Sequence, residues 1–579
     1  MKIERACGVL LHPTCLPGPY GIGDLGPSAY RYLDWLSRAG ATWWQVLPLN
    51  PVGPGWSPYA ATSTFAGSTA LISPDLLREA GLLRVSDLAD LPVLPPFAVE
   101  YERVMPAKRA LLVRAFERFS AGPDPKLEAE FGAFCRENTS WLPEYAAFAA
   151  LKEAHRGAPW HEWPEDLAMR KPQALATWIA RHEREVEFER FGQFLFASQW
   201  RELRRRARTL GIRILGDVPI YVAHDSADVW AHRDIFHLDE RGRPTVVAGV
   251  PPDYFSKTGQ LWGNPLYDWG ALETSGYTWW VARLRAALEL VDAVRLDHFR
   301  GFAGYWEVKA GERTAVKGRW VPGPGRKVFD AARAALGELQ LVAEDLGVIT
   351  KDVVALRNAL ELPGMVVLQF AFSPSPRSKF VPYILRHKMV VYTGTHDNNT
   401  TLGWYLGDAL DSEKDYVRRY LGTDGHEIHW DMIRLALSTV ADLAMVPHQD
   451  IAGLGADCRM NTPATTKGNW RFRLTDWMLG DGLRERFAEL ASLFGRSESG
   501  ATRPRSGSGD ESKERGRSVS VGAGLGALAE ELDNAGKHRQ DDDSEDHEAE
   551  VALDHGDVAE PEPGHDEAEH PRRAPDDVV

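Results

Sequence analysis

The stretch LVDAVRLDHFRGF, residues 290–302, begins as the inside of a protein and ends in ionisable groups. Val291, Ala293, Val294 and Leu296 make it nearly continuous in apolar residues, the composition of a strand buried on both faces. Arg295, Asp297, His298 and Arg300 then fall within six residues. Charge is costly to bury unless it is paired or used. Such a strand predicts a rim, where a buried sheet opens onto solvent or substrate. Residues two apart on a strand share a face, so Arg295 and Asp297 are expected to point the same way and Leu296 the other.

The same kind of run recurs along the chain: GVLLH (8–12), TWWQVLPL (42–49), IRILGDVPIYV (212–222), ELQLVAEDL (338–346), GMVVLQFAF (364–372), MVVYTGTHD (389–397) and ADLAMVPHQDIAGL (441–454). Helical patterns lie between many of them, as at 28–40, 191–211, 279–290 and 351–360. Eight buried strands with intervening helices predict an α/β fold, a (β/α)8 barrel. Two spacings exceed a simple βα unit. About 160 residues separate the second and third runs and include helical segments at 106–120 and 127–137. They predict a mainly helical subdomain, about 58–190, on the barrel rim. A second long stretch, about 223–278, is rich in Gly, Pro and aromatics and reads as an irregular functional loop.

The last aromatic residue is Phe494, and the folded catalytic part is expected to be 1–496. Residues 497–579 hold 23 acidic and 9 basic residues, nearly all of the chain's net charge of -15. This composition predicts an acidic, low-complexity, disordered tail. What precedes it is close to neutral, with no basic excess that would suggest nucleic-acid binding. Cys7, Cys15, Cys135 and Cys458 are scattered without metal-ligand spacing, which argues against a disulfide framework or a zinc site and for a reducing, cytoplasmic location. The start of the chain lacks a signal-peptide pattern, and no run is long enough for a membrane span.

Four of the apolar runs end in polar residues: Asp217 in the third, Arg295 and Asp297 in the fourth, Glu344 and Asp345 in the fifth, His396 and Asp397 in the seventh. A barrel brings all strand C-termini to one rim, so these residues are expected to converge. No metalloprotease helix motif, phosphate-binding loop or nucleophile elbow is present. Carboxylates with an Arg and a His suit glycosidic-bond chemistry, in which one carboxylate is nucleophile or base and another is acid. Arg295 beside Asp297 favours the ionised form of a nucleophile. Glu344 follows an apolar Leu-Val-Ala run, where burial would raise its pKa and suit an acid. The competing reading is a set of structural ion pairs closing the barrel top.

VRLDHFRGF (294–302), VAEDLG (342–347) and GTHDNNT (394–400), in that order, resemble glycoside hydrolase family 77, the 4-α-glucanotransferases. LHPTCLPGPYGIGDLG (11–26), SPYAATSTFAG (57–67), GVPPDYFSKTGQLWGNPLYDW (249–269) and RMNTPATTKGNWRFR (459–473) extend the resemblance over about residues 5–495. It implies a retaining enzyme acting on α-1,4-glucan donors and acceptors, glucose included, with no cofactor and no metal. It further implies Asp297 as nucleophile, Glu344 as acid and base, and Asp397 as the carboxylate favouring the distorted sugar ring. Arg295, His396 and Asp217 would hold substrate and nucleophile. Tyr59 would stack on the donor sugar, Tyr254 and Trp262 would line the acceptor side, and Asn461 would lie near the glucan path. Two positions depart from the family pattern: Ala464 where a glycine is expected, and Phe472 where a tryptophan is. Transfer and hydrolysis share the glycosyl-enzyme and differ in what resolves it. Loop 249–269 is the feature expected to favour a sugar hydroxyl over water. The alternatives are an amylase-like hydrolase and, more remotely, a non-catalytic glucan-binding protein.

Overall fold

The eight apolar runs fold into eight parallel strands: β1 (Ala6–Leu10), β2 (Trp43–Gln45), β3 (Arg213–Pro219), β4 (Ala293–Asp297), β5 (Leu341–Ala343), β6 (Gly364–Val367), β7 (Met389–Tyr392) and β8 (Leu443–Pro447). The computed structural model describes residues 3–89, 91–122, 124–252, 256–372 and 380–497. The strands are ordered β6-β7-β8-β1-β2-β3-β4-β5. The ring closes between β5 and β6 without a ladder. There the Ala343 N–H donates to the Pro363 carbonyl at 2.9 Å, and the Met365 N–H donates to Asp345 Oδ1 at 2.8 Å. A carboxylate thus completes the seam of the (β/α)8 barrel.

Most strands are shorter than their apolar runs, because the residues beyond each strand end are buried under rim loops. After β6, Leu368–Phe372 coils into a 3-10 turn while Leu368, Ala371 and Phe372 stay buried. Apolar continuity reports burial, and burial here outlasts the ladder.

The segment between β2 and β3 is helical, as expected. It contains α2 (Tyr101–Ala121), α3 (Pro125–Glu137), α4 (Leu142–Ala154) and α5 (Glu183–Thr209), while α1 (Pro27–Arg38) covers the barrel between β1 and β2. α2 starts five residues before Pro106 because Tyr101 and Val104 are themselves buried. α5 starts eight residues before Phe191, burying Val186 and Phe188. Phe116, Phe119, Phe131, Phe191 and Phe194 interlock ring against ring and give this insertion its own packing centre.

The stretch 223–278 differs from expectation. It is not merely irregular: Val246–Val250 and Gln260–Pro265 form an antiparallel pair, and Gly304–Lys309 and Gly318–Pro322, from beyond β4, extend it to a four-stranded sheet. An isolated hairpin is marginal in water, so this one depends on strands supplied by another loop. That non-local pairing has no signature within either segment.

At the other end of the barrel, the buried Arg496 guanidinium donates to the carbonyls of Ala6, Leu437, Thr439 and Ala441. Of the expected tail only Ser497 is described; residues 498–579 lie outside the described residues. No helix among the described residues is long and apolar enough to cross a membrane.

Candidate active site

Register decides which strand-end side chains meet. β3 and β4 pair so that Asp217 lies opposite Arg295, with Arg295 in turn opposite Val342 of β5. Arg295 is buried and spans two carboxylates: Nη1 is 2.7 Å from Asp217 Oδ2, and Nη2 is 2.9 Å from Asp297 Oδ1. Asp297 therefore points to the same side as Arg295, as alternation requires, while Leu296 is buried in the wall. Burial alone would pull the Arg295 guanidinium down, but Asp217 and Asp297 outweigh it and keep it charged.

The electrostatics of Asp297 differ from the sequence expectation. Burial dominates and pushes its carboxyl up to about 6; Arg295 opposes this, while Asp217 and Asp397 add to it. The guanidinium limits the rise but does not set its direction. Glu344 stands one residue past β5. Burial first, then the neighbouring Asp297, push it up to about 7, against the pull of Arg295 and of the Leu346 N–H. Both carboxyls are thus raised, and Glu344 carries the added push of Asp297, which suits it as an acid.

Glu344 is held by backbone donors. The His298 N–H donates to its Oε2 and the Leu346 N–H to its Oε1, both at 2.8 Å. His298 can do so because it adopts a left-handed conformation, φ 53°, at the head of the 3-10 turn Phe299–Phe302. Its ring, pushed down to about 3 by burial, is neutral and meets the Trp262 ring edge-on, centroids 4.7 Å apart. Arg300 ties the same region together, donating to the Val348 carbonyl while its guanidinium lies 3.9 Å from the centre of the Trp320 ring.

The loop after β7 brings in a fourth carboxylate, Asp397. Asp397 Oδ1 accepts from Asn461 Nδ2 at 2.6 Å and lies 3.4 Å from His396 Nε2. The Tyr59 ring stacks on His396 at 5.0 Å, and its hydroxyl donates to Asp217 Oδ2 at 2.9 Å. Ala464 does occupy a left-handed position, φ 63°, yet Asn461 still reaches Asp397. Phe472 is buried and pairs with Ala98 in an isolated bridge. Asp217, Arg295, Asp297, His396, Asp397, Tyr59 and Asn461 thus form one cluster linked by hydrogen bonds, ion pairs and stacking; Glu344 stands beside it, coupled to Asp297 and Arg295 by charge and held by the His298 N–H, and the His298 ring meets Trp262. Tyr254 lies outside the described residues.

Two contributors were not picked out from the sequence. One is the His298 main-chain N–H, since a left-handed non-glycine residue leaves no mark in sequence. The other is Asp450, just beyond β8: its Oδ2 accepts from the hydroxyls of Thr393 and Thr401, and its Oδ1 from the Thr401 N–H at 2.7 Å. It pins both ends of the loop that carries His396 and Asp397. Its signal was available, because it is a further carboxylate at a strand end. Among the described residues, no group of three or more His, Cys, Asp or Glu side chains is arranged to hold a metal ion.

A parallel (β/α)8 barrel whose rim gathers four carboxyls around a buried guanidinium, two of them with raised pKa values, defines an enzyme class that works on glycosidic bonds by carboxylate chemistry. Comparison with known proteins narrows the class. The family profile described as 4-alpha-glucanotransferase, glycoside hydrolase family 77, matches residues 11–479. A 4-alpha-glucanotransferase of Thermus thermophilus is 50% identical over 482 residues, covering 82% of this chain and 95% of that protein. One from Synechocystis is 48% identical over 500 residues, covering 86% and 99%. The structure of amylomaltase from Streptococcus agalactiae in complex with acarbose has a TM-score of 0.83 at 34% identity, covering 85% of this chain and all of that one. This chain belongs to glycoside hydrolase family 77, the 4-alpha-glucanotransferases.

Proposed function

We propose that this protein transfers segments of α-1,4-glucans to the 4-hydroxyl of glucose or of another α-1,4-glucan, through a covalent glycosyl-enzyme. The observation that carries the residue roles is the arrangement at the ends of β4 and β5: Asp297 is paired with Arg295 Nη2 at 2.9 Å, Glu344 is held by the His298 and Leu346 N–H groups, and burial raises both carboxyls, to about 6 and about 7, with Asp297 adding to the rise of Glu344. At neutral pH this leaves Asp297 mainly as the carboxylate and a large fraction of Glu344 as the acid. Asp297 attacks the anomeric carbon as Glu344 gives its proton to the departing glycosidic oxygen. The incoming hydroxyl then loses its proton to Glu344 as its oxygen displaces Asp297 from the anomeric carbon, so both carboxyls return to their starting states. Asp397, steadied by Asn461 and His396, is placed to hold sugar hydroxyls. Arg295 holds Asp217 and Asp297 at fixed separation. Tyr59 and Trp262 offer ring surfaces to sugars.

Residues 1–496 are proposed as the catalytic unit, including the rim insertion about 58–190 and the substrate stretch about 223–278, with 497–579 an arm that catalysis does not require. The four unpaired cysteines fit a cytoplasmic setting.

Incubation with maltotriose alone tests the reaction. Transfer yields glucose and a ladder of longer maltodextrins while the number of reducing ends stays constant. A steady rise in reducing ends would replace this reading with hydrolysis. Limited proteolysis tests the boundary: the tail should be lost without loss of activity.

A further inference from the structure

The loop 393–401, which carries His396 and Asp397, is tied to itself at its tip. The Thr395 hydroxyl and the Thr395 N–H both donate to Asn398 Oδ1 at 2.9 Å, and the Asp397 N–H donates to Thr395 Oγ1 at 3.3 Å. These bonds fix the shape of the tip. Where the tip stands over the barrel depends on the two ends, Thr393 directly after β7 and Thr401 at the start of the short helix Thr401–Gly403. Both ends meet one carboxylate. Asp450 Oδ2 accepts from the Thr393 hydroxyl at 2.5 Å and from the Thr401 hydroxyl at 2.7 Å, and its Oδ1 accepts from the Thr401 N–H at 2.7 Å. Asp450 sits on a single helical turn, His448–Ile451, directly after β8. His448 anchors that turn: its Nε2 lies 2.9 Å from the Met478 carbonyl oxygen and its Nδ1 3.3 Å from the Tyr32 hydroxyl of α1.

A carboxylate is a costly group to place there. Asp450 is 1% exposed, and burial pushes its carboxyl up, opposed by the Thr393 and Thr401 donors. No cation is paired with it among the described residues. A buried charge without a counter-ion is unfavourable unless it is used. Three donors converge on it, a demand that an acceptor-only group meets in full and a side-chain amide does not. The other outside bonds each hold one point along the loop: Arg459 Nη2 donates to the Asp397 carbonyl at 2.6 Å, the Asn461 N–H to the His396 carbonyl at 3.0 Å, and Gln369 Nε2 to the Asn399 carbonyl at 2.9 Å. Asp450 instead joins the two ends to one rigid group. Rotation about either end would swing the tip, and this clamp removes that freedom.

We infer that Asp450 is a positioning residue for the transfer reaction and acts through Asp397. It clamps the loop so that the Asp397 carboxylate stands where the hydroxyls of the distorted sugar ring come to lie. The inference rests on the reading of Asp397 as the carboxylate that holds those hydroxyls. That contact strengthens as the ring distorts, so loss of position falls on kcat more than on KM.

Steady-state kinetics of the full-length chain with maltotriose test this. Asp450→Asn should lower kcat roughly 10- to 100-fold, the scale set by a displacement of about 1 Å near the reacting atoms, and change KM by less than about twofold. Thr393→Val removes one of the three donors and should give a smaller loss in the same direction; it replaces Asp450→Asn throughout if that variant fails to fold. The deciding readout is the double variant Asp450→Asn/Asp397→Asn, whose kcat should equal that of Asp397→Asn alone. A purely structural role gives a lower unfolding midpoint with kcat per folded molecule unchanged, or losses that multiply in the double variant, and either result overturns the inference. If Asp397→Asn itself leaves kcat unchanged, the reading of Asp397 fails and the inference with it. If Asp397→Asn is impaired and Asp450→Asn is not, the positioning role alone fails.

Discussion

Glu344 and Asp345 are consecutive residues whose carboxylates serve different partners across the end of β5. Glu344 Oε2 accepts from the His298 N–H, and Asp345 Oδ1 from the Met365 N–H, each at 2.8 Å. Asp345 is also paired with Arg357 and is largely buried. One carboxylate faces the cluster and the other closes the barrel seam. Their substitutions should therefore separate. Glu344→Gln is expected to lower kcat by roughly 10²–10⁴-fold, the contribution of a general acid and base, with an intact fold by circular dichroism. Asp345→Ala should instead lower stability by about 3–5 kcal/mol, the cost of stranding a buried ion-pair partner. Denaturant unfolding measures it, and activity per folded molecule should stay near normal.

The two raised carboxyls set the pH profile. Activity needs Asp297 ionised, a condition lost as pH falls through about 6, and Glu344 protonated, a condition lost as pH rises through about 7. Initial rates of kcat/KM with maltotriose should trace a bell with limbs near those values. A profile flat between pH 5 and 9 would contradict the assignment.

Stability follows the same groups with a definite sign. Both pKa values lie above those of the unfolded chain, so the folded state binds protons more tightly. The stability these groups contribute is complete at low pH and is lost as pH rises through about 6 and about 7. Glu344→Gln removes one of them, so its unfolding free energy should fall less between pH 5 and 8 than that of the parent chain. The slope is the readout, because hydrogen bonds weakened by the substitution shift the whole curve.

Arg295 is the only cation in direct contact with both Asp217 and Asp297 among the described ion pairs. Arg295→Met leaves the buried Asp217 and the partly exposed Asp297 uncompensated and should cost about 3–5 kcal/mol. It should also move the acidic limb of the pH profile upward, because Asp297 loses the group that opposes its protonation. A limb that stays in place would show that Arg295 does not govern the Asp297 charge.

Ala464 carries a left-handed backbone at φ 63°, a conformation that glycine adopts without penalty. Ala464→Gly should stabilise the chain by roughly 1 kcal/mol, offset in part by the greater freedom of glycine in the unfolded state. Because Asn461 already reaches Asp397, kcat should change little. Thermal unfolding beside steady-state kinetics checks both halves.

The barrel was legible because a strand buried on both faces must be apolar along its length, and eight such runs stand out between helical patterns. The cluster was legible because charge at the end of such a run has to be either paired or used. Alternation along VRLDHFRGF placed Arg295 and Asp297 together before any fold was known. Asp450 obeys the same rule just beyond the end of β8.

Local sequence could not show what depends on partners from distant segments. The four-stranded sheet joins 246–265 to 304–322, and neither half announces the other. The His298 N–H reaches Glu344 only because a left-handed turn is held between β4 and the loop after β5. Most telling is Asp297. The sequence supplied its neighbour Arg295 and so implied a depressed pKa, but the rise to about 6 comes first from burial, with Asp217 and Asp397 adding to it. Sequence determined which residues stand at the rim, because periodicity and burial are written along the chain. Tertiary structure decided their proton affinities, because desolvation and charge–charge distance exist only once the strands are side by side.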